Sequence, residues 1–491
     1  MSILEDKYEI VVGLEIHAQL STLSKIYSTD SAEYGGNPNT HISAVTLGHP
    51  GTLPVLNEKA VEYAVKMGFA VNCTIRHENQ FARKNYFYAD LPKGYQITQH
   101  TTPICYDGYL DLKMKDDQIR RIGITRIHME EDAGKSMHDQ DLHDSLIDLN
   151  RAGVPLIEIV SEPDMRSAEE AGLFLTEIRK LLRYLDVCDG NMEEGSMRCD
   201  ANISVRLKGA TEYGNRCEVK NLNSIRNVQR AIEHEAARQV DVLEAGGRID
   251  QNTLNFDALT GQTSVLRSKE MSNDYRYFPE PDLPPLVLSD EFIAGVKAGM
   301  PLLHDALYAI FVNDYKISGS EASTLLDRRE IAMYFMEVCK STRNAKAAFN
   351  WLMGPVKSYM NEKAIDITDF PLKPAGLAAL IAIVDAGKVN NTLAAQQILP
   401  LLIASPDADP LEIATAGGLL IEADSTELSG YILQAIEKFS DKVLEYQQGK
   451  KGLAGLFMGE VMKLSKGKVD PKSVSQLLTD TLDAYKINAD S

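Results

Sequence analysis

The six cysteines of this 491-residue chain, Cys73, Cys105, Cys188, Cys199, Cys217 and Cys339, include no C-x-x-C pair. That scatter suggests neither a structural zinc nor a disulfide framework, so reduced and mostly buried thiols are expected. No run of about 18 apolar residues occurs, and the start MSILEDKYEIVVG lacks the basic, apolar and small-residue succession of a leader. The chain is therefore expected in the cytoplasm, away from membranes. Positive charge is also short, with 51 Lys plus Arg against 70 Asp plus Glu and a net charge of −19. Such a balance disfavours indiscriminate binding to nucleic acid, DNA included, and confines any contact to a local patch. A P-loop is missing as well. AGKS at residues 133–136 resembles the end of one, but Met129 stands where the motif needs its first glycine. Neither a Gly/Ser-rich amidase signature nor a Cys–His glutaminase constellation is found.

What is present is ample for folded cores, with 44% hydrophobic residues. Single cores stop growing near 250 to 300 residues, so the length implies about three domains. Proline-rich breaks at residues 274–286 (DYRYFPEPDLPPL) and 405–410 (SPDADP) divide the chain. The expected division is an α+β domain over 1–290, a helical domain over 291–404 and a helical tail over 405–491.

The first part is organised around RIGITRIHMEEDAGK, residues 121–135, and GVPLIEIVSEPD, residues 153–164. Arg126, His128, Glu130, Glu131, Asp132 and Lys135 crowd into the first, and Glu158 stands alone in the apolar run of the second. A buried carboxylate costs several kcal/mol unless a cation or hydrogen-bond donors meet it. A metal answers this economically; an ion pair with an arginine such as Arg151 is the plainer alternative. Residues 9–20 alternate as a half-buried strand, with Ile10, Val12, Leu14, Ile16, Ala18 and Leu20 on one face and Glu15, His17 and Gln19 on the other. Together with Glu130 and Glu158, the Glu15/His17 pair can complete a site for Mg²⁺, which takes carboxylates plus substrate phosphates.

Elsewhere residues 81–99 mix Arg83, Lys84 and Lys93 with Tyr86, Phe87, Tyr88 and Tyr95, a composition suited to a nucleotide or an RNA end, or equally to an aromatic core. Helical spacing is expected over 58–70, after the capping-box pattern Ser167–Glu170, and over 223–244. A strand over 198–207 turns Cys199, Ala201, Ile203, Val205 and Leu207 inward and Arg198, Asp200, Asn202, Ser204 and Arg206 outward; CEVKN at 217–221 continues the pattern with Glu218 and Lys220. Beyond the first break the pattern is helical, over 321–340, 344–361 and 373–404. In the tail Lys450, Lys451, Lys463, Lys466, Lys468 and Lys472 gather against few acids, a patch that suits RNA phosphates or a solvated helix face.

VGLEIHAQL, FARKNYFYADLPKGYQITQ, RIHMEEDAGK, DLNRAGVPLIEIVSEPD, EEGSMRCDANIS, EVKNLNS and DYRYFPEPD, in this order, closely resemble the family of B subunits of aspartyl/glutamyl-tRNA(Asn/Gln) amidotransferases. The likeness runs through GLFMGEVMKLSKGK in the tail. It implies a glutamine-synthetase-like catalytic domain with an antiparallel sheet, a helical middle domain and a helical tail that contacts tRNA. It also implies a heterotrimer with an amidase subunit that supplies ammonia and a small third subunit. The implied reaction is ATP- and Mg²⁺-dependent activation of the side-chain carboxylate of misacylated Glu-tRNA(Gln) or Asp-tRNA(Asn), followed by amidation. On this likeness Glu15, His17, Glu130 and Glu158 match the metal site, with Glu131, Arg83 and Lys84 as further catalytic positions. Arg198, Asp200, Lys220 and Arg276 match nucleotide-binding positions, and Lys450, Lys451, Lys463, Lys466 and Lys468 match a tRNA contact. Two departures stand out. Some relatives carry two cysteine pairs where this chain has Ser28, Asp30, Ser43 and Thr46, so no zinc is expected, and Asn252-Thr253-Leu254 replaces the usual Glu-Thr-Arg.

Overall fold

The computed structural model describes residues 6–137, 141, 143–268, 274–421, 425–465, 469 and 471–485. The chain forms two compact units, Met1–His304 and Asp305–Ser491.

A twelve-stranded sheet dominates the first unit. Its strands are β1 (Tyr8–Gln19), β2 (Thr74–Ile75), β3 (Ala82–Asn85), β4 (Tyr95–Thr98), β5 (Cys105–Lys113), β6 (Ile119–Glu131), β7 (Pro155–Ser161), β8 (Met197–Leu207), β9 (Cys217–Leu222), β10 (Asn252–Asp257), β11 (Gln262–Ser268) and β12 (Phe278–Pro279). Their order is β11-β10-β9-β8-β1-β7-β6-β4-β3-β12, with β5 also paired to β6 and carrying β2. β9 and β10 run parallel. The pairs from β8 through β1 and β7 to β6 are antiparallel.

Each central strand has one apolar and one polar face, because side chains alternate along it. On β1, Val12, Leu14, Ile16 and Ala18 are fully buried and enter the core with Ile127, Met129, Ile157, Ile159, Ala201 and Ile203 from its neighbours. Three helices cover that face: α1 (Glu58–Ala70), α2 (Ala168–Tyr184) and α3 (Ile225–Glu244), contributing Ala64, Phe174, Ile178, Val228 and Ile232 to the same core. Asn57, Ser167 and Ser224 cap their N-termini. At α2 the Ser167 hydroxyl accepts from the Glu170 N–H, while the Glu170 carboxylate reaches past the cap to accept from Arg166 N–H at 2.6 Å. Helix α4 (Asp290–Ala298) buries Val296 in this core, with Phe292, Ile293, Met300 and Leu303 packed against it. Residues 291–304, expected in the helical domain, thus belong to the first unit. Leu207 also departs from expectation: it is the last residue of β8 and is half exposed.

The four positions where some relatives carry cysteine form a hydrogen-bonded knot. The Ser28 and Thr46 hydroxyls donate to Asp30 Oδ2, and with Ser43 they draw the Asp30 carboxyl below its ordinary range against the opposing effect of burial. All six cysteines are free and buried.

Among its described residues the second unit is helical. The pattern over 321–340 is two helices, Gly319–Leu326 and Arg329–Ser341, the first opened by a capping box of Ser318 and Glu321. The pattern over 344–361 is continuous but passes through a π-helical turn, Leu352–Val356, that contains Pro355. Proline has no N–H to donate, and a wider turn accommodates the lost bond. The stretch 373–404 breaks after Asp385 and resumes at Asn391 under an Asn390 cap. In the tail, Ile432, Ile436, Val443, Tyr446, Phe457, Val461, Val474, Leu478 and Leu482 close a core of their own.

Candidate active site

The polar face of the sheet gathers its charged groups in one row. Strand register sets His17 opposite Arg198 on one side and Glu158 on the other, and Glu158 opposite His128. Side chains at paired positions share a face, so four adjacent strands present Arg198, His17, Glu158 and His128 side by side. Glu130, two residues along β6 from His128, joins them. The His17 Nε2 lies 3.4 Å from Glu158 Oε2 and 3.5 Å from Glu130 Oε1. His128 Nε2 lies 3.3 Å from Glu158 Oε2 and 3.8 Å from Glu130 Oε2. The Thr98 hydroxyl donates to Glu130 Oε2 at 3.2 Å.

Electrostatics in this row are strongly coupled. Burial favours neutral imidazoles, but the carboxylates outweigh it: His17 is held above its ordinary pKa and His128 up to about 9. Burial likewise opposes ionisation of Glu130 and Glu158, yet the imidazoles draw Glu130 below the usual range and Glu158 well below it. Arg151, the alternative partner for Glu158, is engaged elsewhere, donating to the carbonyls of Ala133 and Gly134 and pairing with Asp132.

The other expected site residues divide. Glu15 shares the face, one pleat along β1 from His17, but accepts from the Asn202 amide at 2.8 Å; burial and the nearby Glu158 charge raise its pKa. Lys84 also turns to this face. Burial alone would lower its pKa, but Glu130, Tyr277 and Glu158 raise it. Its neighbour Arg83 points the other way and forks onto Glu280 at 2.7 and 2.8 Å, with Asp282 beside it. Glu131 is likewise on the opposite face from Glu130, buried against Lys93 at 2.5 Å and accepting from the Ile97 N–H. Arg198 pairs with Asp132 at 2.9 Å, and Lys220 bridges Asp200 and Glu218 at 2.5 and 2.8 Å. Arg276 is exposed on the segment before β12, with its backbone at positive φ. In the tail Lys450 pairs with Glu445 and Lys451 with Asp483, whereas Lys463 is exposed. Lys466 and Lys468 lie outside the described residues. Sequence reasoning missed His128 as a site member, although its spacing of two from Glu130 on a strand signals a shared face.

The donor set fits a divalent cation. One ligand atom from each of His17, Glu130 and Glu158 can be chosen so that all lie within 4.8 Å of one another. The two carboxylates leave octahedral positions for water or phosphate, which is how Mg²⁺ is usually held, and the His17 imidazole adds a nitrogen donor beside them. The buried Nδ1 of His128 has no partner among the described residues, so this imidazole is not fully committed within the fold. No helix among the described residues is long and apolar enough to cross a membrane.

The family model described as "GatB/GatE catalytic domain" matches residues 10–294, and that described as "GatB domain" matches residues 333–482. The B subunit of the aspartyl/glutamyl-tRNA(Asn/Gln) amidotransferase of Caldicellulosiruptor bescii is 46% identical over 480 residues, 97% of this chain and 99% of that protein. Its counterpart in Thermosynechococcus vestitus is 46% identical over 485 residues, 97% of each chain, and that in Gluconobacter oxydans 47% identical over 476 residues, 97% of this chain and 98% of that one. The chain belongs to this family of B subunits of ligase-type, tRNA-dependent amidotransferases.

Proposed function

We propose that the polar face activates the side-chain carboxylate of a glutamyl or aspartyl residue carried on a misacylated tRNA, which ammonia then converts to the amide, giving Gln-tRNA(Gln) or Asn-tRNA(Asn). The observation that carries this reading is the meeting of the buried Glu130 and Glu158 with the half-buried His17 beside Lys84. A side-chain carboxylate is a poor electrophile and is made reactive by phosphorylation to an acyl phosphate. Such a transfer needs positioning and charge neutralisation more than a protein nucleophile. Bound Mg²⁺ with ATP supplies the phosphoryl group and part of that neutralisation. Glu130, Glu158 and His17 would hold the cation, with Glu15 one pleat away. Lys84, kept protonated by the acids it faces, attracts the substrate carboxylate and steadies the phosphoryl oxygens. Arg198 and Lys220, on the same face, suit the remaining phosphates.

By the same family likeness we infer that the domain is glutamine-synthetase-like in fold and that the protein works in the cytoplasm, in a heterotrimer. An amidase partner delivers ammonia, and a small third subunit completes the complex. The test is ATP cleavage by the reconstituted complex, which should require misacylated tRNA. Cleavage stimulated by free glutamate or aspartate alone would replace it with a ligase acting on free amino acids.

A further inference from the structure

Beside the acid row stands a set of aromatic rings with no part in the core. His100 and Tyr277 stack face to face, centroids 3.9 Å apart and planes 4° from parallel. Tyr275 meets Tyr277 edge-on at 6.0 Å and Tyr86 at 6.1 Å. Lys84 Nζ lies 5.1 Å from the Tyr275 ring and 5.9 Å from that of Tyr86. His100 and Tyr277 are exposed, as are Tyr88 at 60% and Phe87 at 81%.

The position of this ledge follows from register. Glu130 faces Thr98 across β6 and β4, and Thr98 faces Ala82 across β4 and β3. Two strand spacings, roughly 10 Å, thus separate Glu130 from β3, which Tyr86 immediately follows, and β12, which Tyr277 immediately precedes, lies one spacing further out. In an aminoacyl-tRNA the side-chain carboxyl is joined through the ester and ribose to the terminal adenine. That linkage of bonds of ~1.5 Å also spans roughly 10 Å when extended. A carboxyl held at Glu130 therefore brings the terminal base to the near side of the ledge, where Tyr86 follows β3, with Tyr275 and Tyr277 just beyond it. Another opening along the row is a cavity of ≈ 240 Å³ next to Glu15, lined by Gly13, Ser161, Asn202 and Arg216 among others. A sheet margin admits a polymer end without threading, and a cavity can take a free nucleotide.

We propose that the ledge of His100, Tyr277, Tyr275 and Tyr86 seats the 3′-terminal adenine of the aminoacyl-tRNA, with Lys84 between the base and the acid row. The assignment rests on the proposed function and names the groups that position its RNA substrate. Stacking on aromatic rings accepts a base by its π-face, and Lys84, beside the rings, keeps its role toward the substrate carboxylate.

The test uses the reconstituted complex with Tyr277→Ala, Tyr277→Phe and His100→Ala. Tyr277→Ala is expected to raise KM for misacylated tRNA about 5- to 150-fold, the equivalent of losing one base–aromatic stack, with the effect on KM rather than kcat. Tyr277→Phe should recover most of it, and KM for ATP should not move. A tRNA with an abasic terminal nucleoside should bind the wild type correspondingly less well and Tyr277→Ala no worse than the intact tRNA does. A tRNA ending in 2-aminopurine should lose fluorescence on binding the wild type, and much less with Tyr277→Ala or His100→Ala. Equal quenching in all three, or a penalty for the abasic end that Tyr277→Ala leaves intact, would overturn the ledge assignment. A raised KM for ATP would instead place the base of ATP there. Because quenching is read without turnover, it decides the ledge even if tRNA-dependent ATP cleavage, on which the functional reading stands, is not observed.

Discussion

Glu158 and His17 face each other at one register position of neighbouring antiparallel strands, the carboxylate Oε2 3.4 Å from the imidazole Nε2. The acid is flanked by a second imidazole, His128, and the imidazole by a second acid, Glu130. Two acids and two imidazoles packed together, three of them buried and His17 partly exposed, are matched in charge only when protons or a cation balance them.

Glu158→Gln removes the charge while keeping the shape. ATP cleavage should fall on the order of a hundredfold, as for losing one strong electrostatic contact in a catalytic site, and raised Mg²⁺ should partly restore it. The melting temperature should stay near that of the wild type. Normal cleavage with a much lower melting temperature would make Glu158 a structural residue.

The adjacent pair Glu130 and Glu131 should separate cleanly. Glu130→Gln is expected to behave as Glu158→Gln does. Glu131→Gln leaves the buried Lys93 ammonium uncompensated and should cost about 3 to 5 kcal/mol of stability, with residual activity following the folded fraction. Denaturation curves beside Mg²⁺ titrations of the two variants check this, and interchanged phenotypes would reverse the assignment of faces.

The tail should contribute affinity for tRNA rather than chemistry. With Lys450 and Lys451 committed to Glu445 and Asp483, the exposed Lys463 is the better placed to meet a phosphate. Lys463→Gln should flatten the log–log salt dependence of tRNA binding by about 0.7 to 0.9, the share of one phosphate contact, and Lys451→Gln by less. An unchanged slope for Lys463→Gln would return the residue to a solvated helix face.

Lys25 should make stability rise with alkaline pH. It is fully buried, donates to the His41 carbonyl at 2.6 Å, and burial lowers its pKa from 10.5 to about 8. The folded value lies below the unfolded one, so folding disfavours the protonated form. The penalty is complete below pH 8 and disappears as pH approaches 10.5. Relative to Lys25→Met, the wild type should gain on the order of 2 kcal/mol between pH 7.5 and 10.5, allowing for screening. A constant difference in melting temperature across that range would show that Lys25 titrates normally.

Nitrogen donation should require a partner. The isolated chain is expected to amidate with free ammonium and not with glutamine. Glutamine-driven amidation by the rigorously purified single chain would overturn this.

Much of the polar face was legible because strand periodicity fixes which residues share a side. The alternation over residues 9–20 placed Glu15 and His17 together, and helix α1 runs over the expected residues 58–70. The alternation also separates Glu130 from Glu131, though their adjacency hides it until the apolar partners Ile127 and Met129 fix the inner face. What no local pattern reveals is register: nothing in the sequence alone brings His17 opposite Glu158, or Arg83 onto Glu280 rather than toward the acids. The helical region was legible as helix but not in its divisions, since the break between Leu326 and Arg329 carries neither glycine nor proline.

Strand β1 is synthesised first, yet both of its sheet neighbours, β7 and β8, are encoded well downstream. Until Pro155–Ser161 and Met197–Leu207 have been made, its two hydrogen-bonding edges stand open and its apolar face has no complete sheet to join. Open edges of alternating strands are templates for wrong pairing, and contacts so distant in sequence form slowly. A ribosome-bound chain that stops short of Met197 is therefore the stage most exposed to aggregation. Holding chaperones have most to protect during synthesis of that segment, and no fragment ending before Glu158 can contain the acid row.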